Sequence, residues 1–150
     1  MEKKCVMAND HGAVELAGKL RKHLEDLGYS VTYLGTDNPD VSVDYPRQAE
    51  KAVEEYRRGG YDFGVLLCGT GIGISIAANK FHGIRCALCQ DTYTATMTKK
   101  HNNANFIAFG GRVEYKEDPL KILDAYLSSE FEGGRHQRRI NEITEIERHC

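Results

Sequence analysis

Residues 61–81 read YDFGVLLCGTGIGISIAANKF. An apolar run ends at Cys68, glycines follow at 69, 71 and 73, and the stretch from Gly73 to Phe81 has helical character. The short apolar run predicts a buried strand and the glycines a tight loop opening a helix. A strand feeding a helix through such a loop is half of a parallel βαβ unit.

The same alternation extends in both directions. Upstream, KCVMAND (4–10) predicts a first strand, and Leu16, Ala17, Leu20, Leu24 and Leu27 form a helical stripe closed by Gly28. SVTYLG (30–35) predicts a second strand, residues 36–46 a loop, and PRQAEKAVEEYRRG (46–59) a helix opened by Pro46. Downstream, IRCALCQ (84–90) and NFIAFGG (105–111) predict strands four and five, with TYTATMTKKH (92–101) a helix between them despite its threonines. Asp118 and Pro119 begin a further helix, and RHQRRINEITEIERH (135–149) forms the last, with Ile140, Ile143 and Ile146 on one face. The expected fold is a single α/β domain over residues 1–150. It is a three-layer Rossmann-like sandwich with a five-stranded parallel sheet in the order 2-1-3-4-5. The last helix is surplus to that sandwich and is expected at a subunit interface.

Bulk properties exclude several classes. The chain has 150 residues, 41% hydrophobic and 28% charged, and a net charge of −2. That length suits one core, and the charge marks the surface for neither nucleic acid nor membrane. No apolar stretch approaches the ~20 residues of a span. The N-terminus shows no apolar signal core, so a cytoplasmic location is expected. Five cysteines, an odd number, fit a reducing compartment. Cys86 and Cys89 form a C-x-x-C within a strand, where they point to opposite faces. No metal site is expected, because the histidines share no short ligand spacing.

Ligands of open α/β sheets bind beyond the carboxyl ends of the strands, where the strand order reverses. That point lies between strands one and three, so NDHG (9–12) should adjoin CGTGIG (68–73). Asp10 and His11 thereby become neighbours of Cys68. Ile74 stands where a dinucleotide fingerprint needs its third glycine and where a C-x5-R thiol phosphatase needs arginine. No lysine follows the loop to make a P-loop. What survives is a nest of backbone N–H groups at a helix start, suited to a negative oxygen and to a thiolate. On these grounds Cys68 is either a base or a nucleophile. His101 and Asn102 precede strand five and are expected near the carboxyl edge if the fourth helix ends there. Arg135 and Arg139 share a helix face at a helix start, which suits phosphate and equally a solvated basic end. Arg138 lies off that face.

NDHG (9–12), DYP (44–46), CGTGIGISIAANK (68–80), GIRCAL (83–88), HNNAN (101–105), GGR (110–112) and EGGRHQRR (132–139) together resemble the ribose-5-phosphate isomerase type B family, which includes galactose-6-phosphate isomerase subunits. The resemblance implies aldose–ketose isomerisation, here of D-ribose 5-phosphate and D-ribulose 5-phosphate, without metal or organic cofactor. It makes Cys68 the base, with the amides of Gly69, Gly71, Ile72 and Gly73 holding the enediolate and Thr70 shuttling hydroxyl protons. His101 becomes the ring-opening acid–base group, and Asp10 and Asn102 contacts to sugar hydroxyls. His11, Arg112, Arg135 and Arg139 become phosphate ligands, some from a neighbouring subunit. The resemblance further implies a homodimer or homotetramer with sites at the interface. Some relatives use a glutamate on the helix instead of the cysteine; residues 71–77 hold no acid, so this chain is of the cysteine type. Asn9 departs from a smaller residue common in the family and is expected to reshape the pocket beside Asp10. Six-carbon aldose phosphates are the alternative substrates, and a flavodoxin-like binder of sugar phosphate or flavin mononucleotide is the non-catalytic alternative.

Overall fold

A computed structural model describes residues 2–150. Five strands form one parallel sheet: β1 (Lys3–Asn9), β2 (Tyr29–Tyr33), β3 (Phe63–Cys68), β4 (Cys86–Leu88) and β5 (Phe106–Gly110). Six helices accompany them: α1 (Val14–Asp26), α2 (Tyr45–Arg57), α3 (Ile72–Ala78), α4 (Thr92–Asn102), α5 (Pro119–Leu127) and α6 (Arg135–Glu147). Side-chain alternation along the strands divides the core in two. Met7, Val65, Leu67, Ile107 and Phe109 pack under α1, α4 and α5. Val6, Ala8, Leu66, Phe106 and Ala108 pack under α2 and α3. Cys68 belongs to the second layer and Cys86 with it, while Cys89 faces the first. The two cysteines of the C-x-x-C therefore lie on opposite sides of the sheet. Burial pushes the Cys89 thiol up to about 11, and that of Cys86 higher.

The strand order is β2-β1-β3-β5-β4, which corrects the expected 2-1-3-4-5 at its far end. All five residues of β5, FIAFG, are buried, whereas β4 is three residues long and only Cys86 in it is buried. The continuous apolar strand takes the central position and the short one the edge. The reversal between β1 and β3 is unaffected.

Helix α4 forms in spite of four threonines because both ends are fixed. Asp91 accepts from the Thr94 amide at 2.7 Å, and Asn103, at φ 43°, provides the left-handed closure. Asp118 caps α5 through the Leu120 amide, with Pro119 next. Along α6 the isoleucine face departs from the core: Ile140 is buried, Ile143 half-exposed and Ile146 64% exposed. No helix among the described residues is long and apolar enough to cross a membrane.

Candidate active site

The carboxyl ends of β1, β3 and β5 meet. The Gly111 amide donates to the Cys68 carbonyl and the Arg112 amide to that of Gly69, both at 2.9 Å. A side chain at Gly111 would lie 2.4 Å from the Gly12 carbonyl, so the β1 and β5 loops touch only because that residue is glycine. Arg112 reaches the glycine loop: its Nη1 stands 3.4 Å from where a Cβ on Gly69 would be. Cys68, Asp10, His11, Thr70 and Arg112 therefore share one edge, as the switch-point argument requires.

The local geometry shows how each group is held. Cys68 is 4% exposed, and its sulfur accepts from the Gly71 amide at 3.2 Å. Gly71 sits at φ 81°, in the left-handed region open to glycine. The Thr70 hydroxyl accepts from the Ile72 amide at 3.1 Å. Asp10 is buried and accepts from the Gly12 amide through Oδ1 at 2.8 Å. His11 Nδ1 accepts from the Val43 amide at 3.1 Å, which puts the proton of a neutral ring on Nε2.

Three supporting residues were not legible as such. Val43 orients His11. The Tyr45 ring of DYP lies 2.7 Å from where a Gly73 Cβ would stand, so it covers the glycine loop. Asn9 is fully buried. Its Nδ2 donates to the Asp10 and Thr36 carbonyls, each at 2.9 Å, and its Oδ1 accepts from Tyr33 Oη at 2.6 Å. Asn9 thus ties the loop after β2 to the floor beneath Asp10.

His101 and Asn102 lie elsewhere, which corrects their expected place at the carboxyl edge. A helix that follows a parallel strand runs back against it, so α4 ends at the amino edge of β5. Arg85, just before β4, donates to the Asn102 carbonyl at 2.9 Å, and the Asn105 carbonyl accepts from the Gly64 amide at the start of β3. Helix α4 starts at Thr92, which carries His101 roughly 14 Å from that helix's start, at 1.5 Å per residue. Arg135 and Arg139 go with it, because the Glu132 amide donates to the Lys100 carbonyl at 3.0 Å and α6 begins there. Arg138 pairs with Glu142 at 3.1 Å. The His101 and His136 rings stack with centroids 4.1 Å apart and planes 11° apart. Glu132 Oε1 lies 3.6 Å from His101 Nε2 and 3.4 Å from His136 Nε2. Burial, then the neighbouring His101, hold His136 below the usual imidazole range.

The expected residues thus form two groups at opposite edges of one chain. A cleft of about 630 Å³ lies beside β4 and α6 and not over Cys68.

A family profile described as Ribose/Galactose Isomerase matches residues 5–143. The chain belongs to the ribose/galactose isomerase family. It is 43% identical over 145 residues to ribose-5-phosphate isomerase B of Escherichia coli, covering 97% of each chain. The solved ribose-5-phosphate isomerase B of Clostridium thermocellum superposes with a TM-score of 0.92 at 44% identity, over 97% of each chain. The Mycoplasma genitalium ribose-5-phosphate isomerase B, solved with ribulose-5-phosphate bound, superposes with a TM-score of 0.92 at 35% identity, covering 100% of this chain and 99% of that one.

Proposed function

We propose that the protein interconverts D-ribose 5-phosphate and D-ribulose 5-phosphate, with Cys68 as the base and each site completed by a second copy of the chain. One observation carries the reading: the Cys68 sulfur stands at the mouth of the glycine loop, with the Gly71 amide donating to it at 3.2 Å. Asp10, His11 and Arg112 surround it. That arrangement suits proton removal next to a carbonyl.

In the open-chain aldose, Cys68 thiolate takes the C2 proton, and the electron pair moves to give an enediolate whose charge rests on O1. Donors fixed at that oxygen are usually the largest catalytic contribution, about 2.7–4 kcal/mol each. The proton on O2 passes to O1, with the Thr70 hydroxyl as relay. Cys68 then returns its proton to C1, leaving the ketone at C2. Asp10 has Oδ2 available to a sugar hydroxyl. The Nε2–H of His11 and the guanidinium of Arg112 face the phosphate end. Metal and organic cofactor have no part in this sequence.

Ring opening precedes it. A group must take the proton from the anomeric hydroxyl and give one to the ring oxygen. His101, with Asn102, Arg135 and Arg139, serves the site of the neighbouring copy. Two arguments support this. The residues are too far from Cys68 on their own chain, and an isologous two-fold contact joins unlike edges twice. Apolar side chains also lie uncovered on the surface: Ile72, Ile76, Tyr93 and Ile146 are each at least half-exposed. A homodimer, or a tetramer built from it, covers this surface. The five cysteines, all free, suit the reducing cytoplasm in which the reaction is placed.

The test is a coupled ketose assay across five- and six-carbon aldose phosphates. Turnover highest with D-ribose 5-phosphate is expected. Preference for a six-carbon substrate, or no turnover, contradicts the proposal.

A further inference from the structure

Three donor side chains converge where α4 meets α6. His101, Glu132 and His136 each offer one ligand atom, and all three atoms lie within 4.8 Å of one another. The two imidazole Nε2 atoms flank one carboxylate oxygen at 3.4 and 3.6 Å. Donors bound to one tetrahedral zinc at about 2.0–2.2 Å are separated by roughly 3.4 Å. A second observation points the same way. His136 is 5% exposed, and its Nε2 is buried with no hydrogen-bond partner. A buried polar atom without a partner costs free energy unless something binds it.

We propose that His101, Glu132 and His136 form a binding site for a zinc-like divalent cation, occupation of which removes His101 from ring opening and reversibly inhibits the enzyme. The inhibitory half rests on the role given to His101 above; the metal site does not. The donor set selects the cation. Two imidazoles and one carboxylate suit zinc or cobalt, whereas magnesium and calcium require mainly oxygen. Three protein ligands leave a fourth position for water. The stacked rings must splay for both nitrogens to meet one ion. His101 can turn, since its side chain is 39% exposed, while His136 is fixed in the core. Arg135 and Arg139 stand close by and oppose a cation, so phosphate-end ligands and metal compete for this corner.

Cobalt(II) is the probe, added to the full-length, metal-free protein under a non-chelating reductant. One equivalent per chain should produce the visible band of a tetrahedral nitrogen–oxygen site, without the near-ultraviolet charge-transfer band of a thiolate. Glu132→Gln, at a half-exposed position, should weaken cobalt binding by more than ~10–100-fold, the loss typical of a mere supporting partner. Cys68→Ala should leave the spectrum unchanged. Zinc should inhibit the wild type, and a chelator should restore it. No binding, a thiolate band, or cobalt affinity unchanged in Glu132→Gln overturns the site. Cobalt binding as described with no isomerase activity in the metal-free protein leaves the metal site standing and removes the functional reading. Binding with an active enzyme that zinc does not inhibit removes the inhibitory half.

Discussion

Cys68 is buried and has the Gly71 amide aimed at its sulfur. Cys68→Ala is expected to lower kcat by about 100- to 10,000-fold, the usual share of a positioned base, with little change in KM for ribose 5-phosphate. Steady-state kinetics check this; a near-normal kcat removes Cys68 from the role. In the proposed site His11 serves the phosphate end, with its tautomer set by the Val43 amide. His11→Ala and Arg135→Ala should raise KM more than they lower kcat. Asn9 was legible only as a departure from family habit. Its three hydrogen bonds depend on a loop that the sequence does not place in space. Asn9→Ala leaves buried partners unpaired and should destabilise the fold by roughly 1–3 kcal/mol in urea unfolding. It should also raise KM through the loosened loop.

Among the elements, the strand–loop–helix around Cys68 was the most legible, because apolar run, glycines and helix follow one another within twenty residues. The adjacency of Asp10 and His11 to it followed from topology alone. Strand order at the far edge was not legible, since β4 and β5 are both short apolar runs. Only burial on both faces separates them. The edge reached by His101 was misjudged for a different reason. Its motif lies just before β5 and so reads as near the site, whereas the return crossover takes the end of α4 to the opposite edge. The glycine loop carries its own prediction. A side chain at Gly71 would stand 2.6 Å from Leu88 Cδ1 and 2.9 Å from the Phe109 carbonyl carbon, at a φ of 81°. Gly71→Ala should cost at least the ~1–3 kcal/mol of local backbone strain and lose turnover with it. Unchanged melting and kcat would show that the loop tolerates another path.

At the scale of the molecule, three buried thiols set an alkaline limit. Burial raises Cys5 from 9.0 to about 12 and Cys89 from 9.0 to about 11, with Cys86 higher still. These groups stay protonated in the folded chain and ionise in the unfolded one. Their contribution is complete below pH 9.0 and is lost as pH rises through the window to about 12. Unfolding midpoints should fall across that range, and Cys89→Ala should flatten the slope.

The division of the expected site residues between two edges is what makes the proposed assembly of two copies testable. The motifs contained every member of both groups, yet nothing in their spacing told which copy supplies which. Mixing two inactive variants, Cys68→Ala and His101→Asn, by joint refolding tests this most directly. In a mixed dimer one site carries both substitutions and the other carries neither. With random pairing, activity should return to roughly a quarter of the wild-type value, one intact site in half of the dimers. No recovery, with mixed dimers shown to form, would contradict a site shared between two copies.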